Sequence, residues 1–482
     1  MTQTDFSTIL PITVLTAWAS LLLLADLFLP RERKGWTALL AALGLALTMG
    51  ITLAQSGSEP APGFGGMIVR DGFSTFLNVL FLLTGLLGIA LSYGYNHRMN
   101  IERGEYYPLM LFSVVGMLLM AQATNLIVVF LALELLSFPL YVMSAFAYPK
   151  LESEEAGVKY FLLGAFASGF VVYGIALVFG ATGSTALASI FAVSSSGAAN
   201  LPLLLAGAGL ILVGFGFKVA AVPFHMWTPD VYQGAPTSVT AFMAAGAKAA
   251  GVAGLLRVFG MAFPTLAADL SPVMAILAAL TMILGNLIAI AQTDIKRMLA
   301  YSSIAQAGYI LMAFAPAGNE NLRAISIAAA LFYLVAYTLA SFGSWGVVIA
   351  LEKAEDQGLQ IADYAGLGKK YPLLGAAMTV FMLSLTGLPP TLGLVGKIYL
   401  FRAALEGGLV WLAVVGVVTS LISAFYYLRV VVNMFMREGN PQVEREWWLE
   451  LTIGATAVMT VVVSLFPAPL FDWAQQAIMK LF

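Results

Sequence analysis

At 482 residues, 60% hydrophobic and only 10% charged, the chain far exceeds the roughly 45–50% apolar content of a soluble protein, which makes it a polytopic membrane protein. Its 23 basic and 25 acidic residues nearly cancel, which excludes the basic surface that a nucleic-acid partner requires. It has no cysteine, hence no disulfide and no Cys-ligated zinc or iron–sulfur site, and its hydrophilic connections are too short for a soluble catalytic domain of ~50 residues or more.

Crossing ~30 Å of hydrocarbon takes about 20 apolar residues. Windows of that kind fall near 6–29, 36–55, 73–94, 106–121, 125–147, 155–180, 203–222, 236–258, 271–292, 296–316, 321–350, 371–402, 408–436 and 447–467. The apolar run of the first is longer than the ~7–15 residues of a signal-peptide core and has no basic flank, so it is expected to be retained. Fourteen windows put alternate connections on opposite sides. Thirteen Lys and Arg then share one side (Arg31, Arg33, Lys34, Arg98, Arg103, Lys150, Lys296, Arg297, Lys353, Lys369, Lys370, Arg437, Arg445), against five on the other (Arg70, Arg257, Arg323, Arg402, Lys480). Because cytoplasmic connections hold the basic excess, both termini are expected to be extracytoplasmic.

The two halves echo one another. Ala123-Thr124-Asn125 opens the fifth window as Gln292-Thr293-Asp294 opens the tenth, and the run from Tyr141 to Phe146 resembles that from Tyr309 to Phe314. Pro223 interrupts the seventh window and Pro389-Pro390 the twelfth. A repeat of five spans, an odd number, inverts the second copy relative to the first, and broken helices at matching places mark an ion site. The expected fold is all-α, with about 14 transmembrane helices and two inverted five-helix repeats, each holding a broken helix. The expected divisions are 1–105 as an N-terminal three-helix segment, 106–258 and 259–436 as the two repeats, and 437–482 as a C-terminal helix and tail.

Lysine or aspartate at the centre of a membrane helix costs roughly 2.5–3.5 kcal/mol on insertion scales, so deep charges are functional candidates. Glu134 lies in FLALELLSFP, Lys218 before the first break in GFGFKVAAVPFHMW, Lys248 in MAAGAKAAG and Lys397 after the second break in GLPPTLGLVGKIYLF. Lys248 is about eleven residues, or ~16 Å, from either end of its window, beyond the reach of a snorkelling stem. A buried Glu134 also fits a neutral acid bonded to a carbonyl. Lys159, about four residues into its window, suits a headgroup contact as well as a function. His225 suits a proton shuttle, with an ordinary pKa of about 6.5, or a structural histidine. Asp26 and Arg429 read as interfacial, and Asp230 as a loop residue capping the next helix. Burial disfavours an ammonium while a nearby carboxylate favours it, so a changing Glu–Lys contact can switch proton uptake and release. Sodium would want several oxygen ligands together, and the cationic centre suits protons better. Nucleotide-binding loops are lacking.

The segments FGFKVAAVPFHMWTPDVYQGAPTSVTAF (215–242), TDIKRMLAYSSIAQAGY (293–309) and SLTGLPPTLGLVGKIYLF (384–401) resemble the antiporter-like membrane subunits of proton-pumping NADH:quinone oxidoreductase, respiratory complex I. Of the three paralogous types, the M type carries Glu where this chain has Lys397 and the L type is longer, which leaves the N type. The resemblance implies a Glu134–Lys218 ion pair in a first half-channel, with Lys159 beside it. It makes Lys248 the connecting residue, Lys397 the charge of a second half-channel, and His225 the histidine by the broken helix. It further implies a proton-translocating, non-redox subunit in the bacterial inner membrane, with no cofactor in this chain. NADH, FMN, iron–sulfur clusters and quinone are expected in partner subunits, and the other membrane subunits, paralogues included, as partners. A cation/proton secondary antiporter subunit and a non-transporting membrane scaffold are the competing readings.

Overall fold

A computed structural model describes residues 2–30, 34–316, 320–353 and 357–477. Arg31, Arg33 and Lys480, counted above by side, lie outside them. Hydrocarbon offers the backbone no hydrogen-bond partner, and a helix satisfies it within one segment. Each of the fourteen windows is accordingly helical.

Helix α1 (Gln3–Asp26) starts on a capping box of Thr2 and Asp5, and α2 (Gly35–Ala54) follows. An unanticipated hairpin, β1 (Ala61–Gly63) against β2 (Ile68–Arg70), leads to α3 (Gly72–Arg98). Next come α4 (Tyr106–Gln122), α5 (Leu126–Ser144), α6 (Leu151–Thr182), a short α7 (Leu187–Ser195) and α8 (Leu201–Val219). The chain continues through α9 (Trp227–Gly234), α10 (Thr237–Phe242), a π turn (Met243–Ala247) and α11 (Lys248–Met261). The remainder comprises α12 (Ala267–Ile290), α13 (Ile295–Met312), α14 (Glu320–Leu351), α15 (Leu367–Lys370), α16 (Pro372–Thr386), α17 (Leu392–Glu406), α18 (Val410–Met436), α19 (Trp447–Leu465) and α20 (Ala468–Gln476).

Among the described residues eleven helices are long and apolar enough to cross a membrane; α4 and α16 are shorter apolar helices. The segment Thr237–Met261 is enclosed by protein and α14 almost so, whereas α6 and α19 turn side chains such as Phe166 and Val458 outward. Small residues permit the close approaches. Cβ atoms added at Gly174 of α6 and Gly207 of α8 would lie 2.7 and 2.8 Å from the partner helix's backbone oxygen, so this pair packs backbone to backbone.

The two halves share local devices. Asn125 and Asp294, aligned by the sequence echo, each cap a helix, α5 and α13, and each forms an isolated antiparallel bridge, to Ala186 and to Gln360. Helices α8 and α16 both end on a left-handed residue, Ala220 and Gly387, shortly before a proline, Pro223 and Pro390, that follows a cis peptide bond.

Several charges read as belonging to connections or interfaces are covered by protein. Arg257, assigned to a connection, is fully buried in α11, where both its terminal nitrogens reach the α3 cap Asp71 (2.6 and 2.9 Å) and its Nε donates to the Ala121 carbonyl (3.1 Å). Lys296, assigned to the basic side, is buried at the start of α13 and donates to the Ala235 carbonyl at 2.8 Å. Asp26, read as interfacial, is covered by protein at the end of α1, 2.5 Å from Lys34. Arg429 is half-buried and reaches the Ile290 and Gln292 carbonyls. In each case a hydrogen-bonding partner outside its own helix holds the charge inside.

Candidate functional site

Lys218 ends α8 where the helix breaks, and only 5% of the residue is exposed. Its Nζ donates to Ser137 Oγ of α5 at 2.8 Å and to Tyr160 OH of α6 at 3.1 Å, and sits 5.4 Å from the Tyr160 ring centroid. That ring is also held by Trp227 of α9, stacked on it at 4.5 Å.

Lys248 follows the π turn and has 2% exposure. It donates to both oxygens of Ser303 on α13, the carbonyl at 2.6 Å, and lies 5.9 Å from the ring of Tyr337 on α14. Tyr337 OH donates to the same Ser303 hydroxyl at 2.9 Å. A π turn adds a residue to the helical repeat and recurs at functional sites. Here it sets the direction in which Lys248 leaves the helix.

Lys397 sits in α17, just after the second break, and is 2% exposed. It donates to the Leu385 and Thr386 carbonyls freed at the end of α16 (3.1 and 2.9 Å) and to Ser420 Oγ of α18 at 2.8 Å. It lies 4.1 Å from the Tyr309 ring centroid, a close cation–π contact. Gly387 has φ +87°, and a Cβ there would fall 2.8 Å from Lys397 Cδ.

The same triplet therefore occurs three times: a buried ammonium, a serine hydroxyl and a tyrosine, Lys218/Ser137/Tyr160, Lys248/Ser303/Tyr337 and Lys397/Ser420/Tyr309. None of the three lysines has a carboxylate oxygen within ion-pair distance among the described residues. Neutral oxygens and ring faces accept the ammonium's donors without fixing its charge.

Between the second and third triplets the polar contacts continue along α13. Ser302, next to Ser303, bonds the hydroxyl of Tyr427; Gln306 Nε2 donates to Tyr427 OH at 3.1 Å and to the Leu385 carbonyl at 2.9 Å. That carbonyl also accepts from Lys397. Tyr333 OH donates to Gln306 Oε1. The hydroxyl of Tyr309 joins Ser420 (3.2 Å) and Thr419 (3.1 Å). A run of polar contacts thus extends from Ser302, the sequence neighbour of Lys248's partner Ser303, to Lys397.

The remaining sequence candidates stand apart. Glu134 is half-buried one turn before Ser137 and accepts from Ser168 of α6; it makes no direct pair with Lys218, whose nearest acceptors are the Ser137 and Tyr160 hydroxyls. Lys159 is the ninth residue of α6, deeper along its helix than its window suggested, yet partly exposed. It pairs with Glu155 (2.6 Å) and with Asp230 (2.8 Å). Asp230, read as a loop cap, lies in the first turn of α9 and also pairs with Arg297 of α13 at 2.9 Å, joining three helices. His225, half-buried between α8 and α9, has a buried Nδ1 without a hydrogen-bond partner. Sequence reasoning missed Ser137, Tyr160, Ser303, Gln306, Tyr337 and Tyr427, and also Glu352, a buried carboxylate 3.2 Å from Tyr95 OH.

Residues 123–423 match the family model described as "NADH:quinone oxidoreductase/Mrp antiporter, TM". The chain is 48% identical to an NADH-quinone oxidoreductase subunit N of Chloroflexus aggregans over 99% of its own length and 98% of the relative's. It is 44% identical to subunit N of Trichlorobacter lovleyi, over 98% and 97% of the two chains. A chain in the structure of respiratory complex I from Thermus thermophilus with bound aureothin superposes with a TM-score of 0.83 at 38% identity, covering 96% of this chain and 98% of that one. A chain of the Mrp complex from Dietzia superposes at 0.85 with 20% identity, covering 97% and 96%, a likeness of fold. The chain therefore belongs to the NADH:quinone oxidoreductase/Mrp antiporter membrane family, in its subunit N branch.

Proposed function

We propose that this chain is a proton-translocating, non-redox subunit of an NADH:quinone oxidoreductase and moves protons by way of Lys218, Lys248 and Lys397. The observation that carries this reading is the threefold recurrence of an enclosed ammonium held only by neutral groups. An amine and an ammonium are then both sustainable at the same place. Glu134, one turn from Ser137, is the adjustable charge. When Lys218 swings toward it the ammonium is favoured; when Lys218 returns to Ser137 and Tyr160, proton release is favoured. Lys248 receives the proton, and the layer of Ser302, Tyr427 and Gln306 carries it toward Lys397, whose contacts with the open end of α16 suit an exit. His225 and Lys159 act at the approach to the first triplet, Lys159 being tethered outward by Asp230.

In this reading 106–258 and 259–436 are inverted repeats within fourteen spans, flanked by 1–105 and 437–482. Both termini lie outside the cytoplasm, and the chain resides in a bacterial inner membrane. NADH, flavin, iron–sulfur clusters and quinone belong to partner subunits, and the neighbours in the membrane are other complex subunits, including paralogues of this fold.

Two substitutions test it. Lys218→Ala is expected to leave the assembled complex intact and to lower proton pumping in sealed vesicles several-fold; normal pumping by an assembled variant would leave a scaffold role. Lys248→Arg keeps the charge but does not readily deprotonate, so it is expected to impair pumping nearly as much as Lys248→Ala, measured in the same vesicles. Full activity with Arg would mean that a fixed charge suffices.

A further inference from the structure

A groove of about 860 Å³ runs between α16 and α19, lined by none of the residues of the lysine triplets. Its walls are apolar and small along much of their length, with Ala376 and Val380 on one side and Ala457 and Val461 on the other. Its mouth carries Lys370, Tyr371, Glu444, Arg445 and Glu450.

Three observations identify an occupant. The first is level. Trp447 and Trp448, 66% and 45% exposed, open α19 beside the mouth, and Tyr371 caps α16; aromatic residues of this kind settle at the headgroup boundary. The second is length. The groove follows α19 from Leu449 to Val462 and α16 from Pro372 to Val380, or ~20 Å and ~12 Å at 1.5 Å per residue. A single leaflet has ~15 Å of hydrocarbon, half of ~30 Å, whereas a neighbouring transmembrane helix would need a seat through both leaflets.

The third is charge. Lys370 Nζ lies 5.4 Å and Arg445 Cζ 5.8 Å from the centroid of the one Tyr371 ring. Lys370 is steadied by neutral oxygens only, Asn440 Oδ1 at 2.6 Å and the Pro441 carbonyl at 2.9 Å. Arg445 is largely exposed and stands 3.9 Å from Glu450, a loose pair. Two cations beside one ring on the groove's rim present a phosphate with donors it binds well, and the carboxylates of Glu444 and Glu450 on the same rim offer acceptors to an amine.

We propose that this groove is a binding site for one bilayer phospholipid with an amine-bearing headgroup: acyl chains between α16 and α19, phosphate on Lys370 and Arg445, ammonium against Glu444 and Glu450. The site shares no residue with the three lysine triplets.

The test uses the assembled complex, stripped of loose lipid and then exposed to equal amounts of phosphatidylethanolamine and phosphatidylglycerol, with retained lipid counted by mass spectrometry. The wild type is expected to hold about one more phosphatidylethanolamine per complex than either Lys370→Ala/Arg445→Ala or the groove-filling Ala457→Phe. Equal retention by the variants, or retention of phosphatidylglycerol in its place, overturns the proposal. Should the variants fail to assemble, a phosphatidylethanolamine with a photoreactive acyl chain decides on the wild-type complex. Label on α16 and α19 supports the site, whereas its absence there, or a zero-length cross-link from Glu450 to a neighbouring subunit's helix, overturns it.

Discussion

Gly387 governs where Lys397 can be. At φ +87° only glycine is unstrained, and an added methyl would intrude 2.8 Å from the lysine stem. Gly387→Ala is therefore expected to combine left-handed strain of roughly 1–2 kcal/mol with displacement of the ammonium. Gly408 provides the control: its φ is +74°, but nothing lies within 4 Å of an added Cβ. Pumping by assembled complexes should fall strongly in Gly387→Ala and little in Gly408→Ala; equal losses would assign the effect to backbone strain alone. The lysines themselves were legible in the sequence because a charge in an apolar run is costly and therefore conspicuous. Their partners were not. Serine, tyrosine and glutamine are ordinary in membrane helices, and only tertiary packing brings Ser137, Ser303 and Ser420 to three ammoniums. The direct Glu134–Lys218 contact implied by resemblance is replaced in this structure by hydroxyls that compete for the same Nζ.

Among the elements, the breaks in α8 and α16 were readable from prolines in apolar runs, since such a residue frees backbone groups that need other partners. The hairpin β1–β2 and helices α7 and α20 were not, being short and set in segments without strong periodicity. Nor was the clasp between α3, α4 and α11. Arg257, Asp71 and the Ala121 carbonyl close it in the interior, and in one dimension Arg257 resembles any charge at a helix end. Removing one partner strands the other, at a cost of about 3–5 kcal/mol, while replacing both by apolar residues is often neutral. Asp71→Ala is accordingly expected to lower the thermal unfolding midpoint of the purified complex, and Asp71→Leu with Arg257→Met to recover most of the loss. A double variant no better than the single would show that this pair holds register rather than compensating buried charge.

Across the whole molecule, the fourteen apolar windows were each visible as helices in advance, while enclosure was not: α14 is nearly surrounded by protein and α19 largely faces outward, although both are simply apolar in the sequence. Sidedness can be read directly because the chain has no cysteine. Glu59→Cys and Glu438→Cys are both exposed positions on opposite sides of the proposed topology. An impermeant thiol reagent added outside intact cells should label the first and spare the second; the reverse pattern would invert both termini. The polar layer along α13 has an electrical consequence of its own. From Ser303 to Gln306 the helix advances only ~4.5 Å of the ~30 Å dielectric slab. In the proposed route, with α13 upright in that slab, the leg from Ser303 to Gln306 traverses roughly a sixth of the voltage drop, or about 0.3 kcal/mol per 100 mV. That leg is almost electrogenically silent, so in the proposed route back-pressure from an energised membrane falls on the steps outside it, above all where hydrogen ions enter and leave.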